Sequence, residues 1–130
     1  MSATLTFTIP PDSWLTSNRH GIHRGQRARI VRELHAVAQI TAHAAGLRPI
    51  VGPVAADWTV RYPKGVRRDK GDASNAQPTT KALLDGMVPR WLEDDGPLHV
   101  VAETFRRGPN LDRARDHEIR LVLTSQEVPF

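Results

Sequence analysis

Six of the chain's 14 acidic residues, Asp69, Asp72, Asp85, Glu93, Asp94 and Asp95, fall within residues 69–95, with Lys81 among them. Lys81 and Asp85 are four residues apart, so on a helix they share one face. Asp72 and Asn75 lie on the segment feeding that helix and Glu93 to Asp95 on the segment leaving it, so both segments can converge beside the Lys81/Asp85 face. Mg²⁺ takes carboxylate oxygens and waters, usually with one or two protein carboxylates and a substrate phosphate completing its shell. A phosphodiesterase uses such an ion to polarise phosphate and generate hydroxide, and a nearby lysine offsets charge on the transition-state oxygens. A surface ion pair between Lys81 and Asp85 and a solvated Asp94-Asp95 turn fit the same spacing.

Three basic groups bracket this stretch. Arg19, Arg24, Arg27, Arg29 and Arg32, with His20 and His23, precede it; Arg61, Lys64, Arg67, Arg68 and Lys70 flank it; Arg106, Arg107, Arg113 and Arg115 follow it. Arginine supplies 15 of the 18 cations, which favours planar, bidentate contacts to phosphate. Such contacts position a nucleic-acid backbone with little sequence information. Taken singly, each group also suits a solvated charged face. A net charge of +4 with a concentrated acidic patch points to a polyanion partner and a cation site that works on it.

The elements that must position these residues belong to one domain, residues 1–130, because that length suits a single core. A 39% hydrophobic and 25% charged composition is that of a globular rather than a disordered chain. The absence of cysteine excludes disulfides, thiolate zinc sites and a cysteine nucleophile. His20 and His23 lack the further ligands a zinc site needs. No apolar run approaches the roughly 18 residues that span a bilayer, and Met1-Ser2-Ala3 leads straight into a strand-like segment. A cytoplasmic protein without membrane or small-molecule cofactor is expected.

Alternation of Leu5, Phe7 and Ile9 with threonines predicts a strand over Thr4–Ile9, ended by Pro10-Pro11. Ile30, Leu34, Val37, Ala38, Thr41 and Ala45 recur at helical spacing over Gln26–Ala45, with Gly46 as the stop. Val54–Tyr62 alternates as a second strand, Pro63–Asn75 is a loop, and a second helix runs from Pro78 to Val88. Leu98–Phe105 and His117–Thr124 are the last strands, expected to form a hairpin whose long tip is Arg106–Asp116. The order β-α-β-α-β-β predicts an α+β domain, a mixed sheet with two helices packed on it. Trp14 and Trp58 are expected as core anchors, and Trp91 and Leu92 as packing for the acidic loop or an interface.

Nearly the whole chain resembles the RusA-like Holliday-junction resolvases, particularly those of actinobacterial phages and prophages. The likeness starts at Ile9-Pro10-Pro11 and Trp14-Leu15-Thr16-Ser17-Asn18-Arg19 and runs through the basic first helix. Its specific part is Arg67-Arg68, Asp72-Ala73-Ser74-Asn75, Pro78-Thr79-Thr80-Lys81-Ala82-Leu83-Leu84-Asp85-Gly86 and then Asp94-Asp95.

The resemblance implies a homodimeric endonuclease that binds branched DNA, four-way junctions above all, and makes paired nicks with Mg²⁺, for which Mn²⁺ substitutes. It assigns catalysis to Asp72, Lys81 and Asp95 and the metal to Asp72, Asp85, Asp94 and Asp95. Asn18 and Asn75 match its asparagines and are expected at the DNA, Asn18 equally as the pin of a turn. DNA contacts by Arg19, Arg24, Arg27, Arg67 and Arg68 are expected from the basic groups. Ser74 departs from the pattern, standing where the best-studied members carry a second aspartate. Serine can orient a water but adds no charge, so the expectation is either weaker metal binding or recruitment of Asp69 or Asp85 in its place. The alternative is an accessory protein that binds branched DNA and has lost the cut. A sequence-specific repressor would need a helix-turn-helix, which the pattern lacks, and would leave the acids unexplained.

Overall fold

The structure, a computed structural model, describes residues 2–17, 21–67 and 69–126. The first threonine-rich segment forms β1 (Ser2–Ile9), with Leu5, Phe7 and Ile9 buried on one face. α1 (Arg24–Ala44) begins at His23, whose ring accepts the Gly25 N–H at 3.0 Å. That bond satisfies one of the helix's free amides. Ile30, Leu34, Ala38 and Ala42, spaced four apart, form its buried stripe. Gly46, at φ +67°, ends the helix in the left-handed conformation that a side chain disfavours.

β2 (Val54–Arg61) alternates fully buried Val54, Ala56, Trp58 and Val60 with half-buried residues. It leads through α2 (Gln77–Met87) to β3 (Val100–Arg107), and β4 (His117–Ser125) closes the chain. The sheet order is β1-β4-β2-β3, with β2 and β3 parallel and the other pairs antiparallel. A helix between β2 and β3 is what a parallel pair requires. Both helices pack on the sheet face that carries Phe7, Trp58 and Leu121. The domain is α+β, a mixed sheet with two helices, as the periodicity predicts. Among the described residues, no helix is long and apolar enough to cross a membrane.

The expected hairpin between the last two strands does not form, because β2 lies between them. β3 runs parallel to β2, so the chain must recross the sheet end before β4 can pair antiparallel with β2. That crossing is hydrogen-bonded to the β2 end: Gly108 N–H to Val60 O at 2.9 Å, Leu111 N–H to Tyr62 O at 2.8 Å, and Lys64 N–H to Arg113 O at 2.8 Å. Leu111, buried at its centre, gives the segment an apolar anchor among its charges. The third basic group is therefore no hairpin tip. Arg106 and Arg107 belong to β3, and only Arg113 and Arg115 lie in the crossing.

Candidate active site

α2 presents Lys81 and Asp85 to solvent because Thr79, Ala82, Leu83, Gly86 and Met87 occupy its buried face. Gly86 sets how deep the helix sits. A Cβ there would fall 2.7 Å from His35 Cα and 2.9 Å from His35 O on α1, so only glycine allows this approach. At the other end, the buried Thr79 hydroxyl donates to Leu15 O at 2.7 Å and accepts Leu15 N–H at 2.9 Å, tying the segment after β1 to α2.

The acidic loop is brought back to this helix by its apolar residues. Trp91 and Leu92 are buried, Trp91 Nε1 donates to Leu47 O at 3.0 Å, and Leu92 bridges to Ile50. Lys81 Nζ then lies 2.9 Å from Asp95 Oδ2 and 3.3 Å from Asp85 Oδ1. Asp94 turns elsewhere: its Oδ1 accepts the Asp95 N–H at 2.9 Å, and its Oδ2 lies 3.8 Å from His99 Nδ1. Glu93 accepts the Gly52 N–H at 3.0 Å and stands 3.4 Å from His99 Nε2. Glu93, Asp94 and His99 thus shape the loop that aims Asp95.

The two carboxyls do not titrate alike. A hydrogen bond from Asp85 and another from Lys81 hold Asp95 down at about 2. Partial burial pushes Asp85 up, and its hydrogen bond to Asp95 adds to the rise. Lys81 is raised, chiefly by its hydrogen bond to Asp95. Two carboxyls this close disfavour double ionisation unless a cation is shared between them.

Lys81 and Asp95 line a cleft of about 250 Å³ together with Gln77, Thr80, Leu84 and Glu103. On the other flank of Lys81 and Gln77 lies a more open groove lined by Ser17, Arg27 and Pro78. Lys81 therefore stands between an acidic cleft and an arginine-bearing groove.

The other expected site residues lie on the segments before α2 and at the start of α1. Asp72 is exposed and precedes the 3-10 turn Ala73–Ala76 that feeds α2. Its carbonyl accepts the Tyr62 hydroxyl at 3.0 Å, and Gly71, at φ +74°, lies so close that a Cβ would meet the Tyr62 ring at 2.6 Å. Ser74 is exposed on the turn, and Asn75 O accepts the Ser17 N–H at 3.0 Å. Arg24 and Arg27 are exposed at the start of α1. Arg67 pairs with Asp69 at 2.9 Å, which commits Asp69 to its own loop. Arg107, with its guanidinium 4.9 Å from the Tyr62 ring, donates to the Lys70 and Arg67 carbonyls and to Asn110, and so braces the loop before Asp72. Asn18, Arg19 and Arg68 lie outside the described residues.

Among the described residues, no three His, Asp or Glu side chains converge tightly enough to enclose a metal ion. The donor set that does converge, Asp85 and Asp95 beside a roomy cleft, suits an ion that relies on water and substrate for the rest of its shell. Mg²⁺ is such an ion. Comparison of the chain with protein-family models and with curated proteins gives no match.

Glu103 is a cleft residue that strand alternation alone misplaces. Val54 pairs with Val100 but Ala55 pairs with Ala102, so Val101 is an extra residue in the β3 register. The bulge reverses the alternation beyond it and turns Glu103 to the helix face, beside Val100. There its Oε2 accepts the Trp58 indole N–H at 2.8 Å.

Proposed function

We propose that this protein is a Mg²⁺-dependent, structure-selective DNA endonuclease that acts as a homodimer on four-way junctions, in recombination or repair. The observation carrying this reading is the Lys81 ammonium bound by both Asp85 and Asp95 at the boundary between an acidic cleft and an arginine-bearing groove. The likeness to the RusA-like resolvases supports it, since Lys81, Asp85 and Asp95 are among the residues that likeness selects.

Asp85 and Asp95 would hold the ion, with Asp94 positioning Asp95; the likeness adds Asp72 as a further ligand. The chemistry such an ion would supply there is polarisation of the phosphate and activation of water at neutral pH. Lys81, with its side chain 64% exposed, is free to leave the carboxylates and meet the charge growing on the phosphate oxygens. Arg27 and Arg24 take neighbouring backbone phosphates, which orients the strand without reading its bases. Paired nicks need two such centres related by a two-fold, hence the dimer.

A labelled synthetic four-way junction incubated with Mg²⁺ should acquire nicks in opposing strands, and a linear duplex of the same sequence should not. A second reading, an accessory protein that binds junctions without cutting, draws on the lack of a carboxylate at Ser74. Junction binding without nicks in Mg²⁺ or Mn²⁺ would select it.

A further inference from the structure

We infer that Glu103, which lines the cleft together with Lys81 and Asp95, is the general base that orients and deprotonates the attacking water. This rests on the nuclease reading of the same site. Glu103 comes from β3, not from the acidic stretch, and shares the cleft with Lys81, Asp95 and Gln77. Trp58, fully buried, donates its indole N–H to Oε2 at 2.8 Å and so fixes the direction of an otherwise solvated carboxylate. The other oxygen, Oε1, has no hydrogen-bond or ion-pair partner among the described residues and is left to accept from water.

A buried indole needs an acceptor, but a neutral one would suffice, so the charge on Glu103 is not explained by Trp58. Glu103 acts across water rather than as a direct ligand, and the Mn²⁺ measurement below separates the two roles. In the step, the water oxygen bonds to phosphorus, Glu103 takes its proton, one P–O ester bond breaks, and the leaving alkoxide takes a proton from solvent. General-base catalysis contributes about 10²–10⁴-fold.

Glu103→Gln tests this, since glutamine can still accept the Trp58 N–H. Three quantities are compared among the parental protein, Glu103→Gln and Asp95→Asn: junction cleavage, Mn²⁺ affinity by calorimetry without DNA, and urea unfolding. The expected Glu103→Gln result is cleavage down about 10²-fold or more, Mn²⁺ affinity within about threefold of parental, and unchanged unfolding. Asp95→Asn should instead lose Mn²⁺ affinity. Parental cleavage by Glu103→Gln while Asp95→Asn is inactive would overturn the role of Glu103 and leave the nuclease reading intact. A loss of Mn²⁺ affinity in Glu103→Gln matching that in Asp95→Asn would make it a ligand and also overturn the inference. A parental protein that cuts no junction overturns both.

Discussion

The Lys81 ammonium lies 2.9 Å from the Asp95 carboxylate, across 14 residues of chain that include the end of α2 and the buried Trp91-Leu92 turn. The same ammonium reaches Asp85 one helical turn away, so a local i,i+4 pair is recruited into a long-range contact. Both acids are partly exposed, Asp85 at 36% and Asp95 at 24% of the side chain, and the pairing contributes little to stability.

Lys81→Ala should therefore change unfolding free energy by less than about 1 kcal/mol. Its effect on cleavage should be far larger, about 10²-fold, the scale of removing one transition-state donor. Urea titration and single-turnover cleavage on the same preparations separate the two. A variant that loses stability and activity in proportion would make Lys81 a structural residue.

Asp95, held at about 2, should contribute stability that is fully present above its unfolded value of about 3.9 and is lost as pH falls toward 2. Asp85, raised, works in the opposite sense: its contribution is present at low pH and is lost as pH rises through its folded value. Carboxyl NMR titration should find Asp95 below and Asp85 above the ordinary aspartate value. In Asp85→Ala, Asp95 should move up, because its largest stabilising partner is gone. Saturating Mg²⁺ should lower Asp85 as well, since a shared cation favours both ionised forms.

Gly86→Ala should lower stability by about 1–3 kcal/mol, the cost of overpacking where backbone cannot yield. The new methyl would press on His35 Cα and O, pushing α2 off α1 and carrying Asp85 with it. Urea unfolding gives the first effect and Mg²⁺ affinity the second. An unchanged midpoint would mean the helices are not held at this distance.

Much of this was legible from residue types. Burial of Leu5, Phe7 and Ile9, of Ile30, Leu34 and Ala38, and of Val54 through Val60 follows periods of two and of about four. The Lys81/Asp85 face follows from the same rule. The neighbours of β4 did not, because pairing depends on which strands share the core, and Leu111 is a lone apolar anchor in a charged segment. Glu103 was hidden by the Val101 bulge, which shifts parity by one residue with no compositional trace. Arg107 reads as a phosphate contact by its charge, yet its guanidinium is spent on the loop carbonyls before Asp72.

Ser74→Asp should keep or raise cleavage and lower the Mg²⁺ concentration needed for half-maximal rate, because it adds a carboxylate to the exposed turn beside Asp72. Mg²⁺ titration of the cleavage rate reads this directly. A higher Mg²⁺ requirement in the variant would place Ser74 outside the cation's reach.

Arg27→Ala should weaken junction binding about equally for all sequences and reduce the slope of log K against log salt by about 0.9, one phosphate's share. Fluorescence anisotropy across a salt series measures both. A change confined to one sequence would indicate base contact instead.

The most direct measurement is cleavage of a strand-labelled four-way junction in Mg²⁺ by the parental protein and by Asp95→Asn, with binding followed in parallel. The parental protein should nick opposing strands, and Asp95→Asn should bind with parental affinity while cutting about 10²-fold more slowly or not at all. A parental protein that binds the junction and never nicks it, or an Asp95→Asn variant that nicks at the parental rate, would contradict a catalytic centre built on Lys81, Asp85 and Asp95.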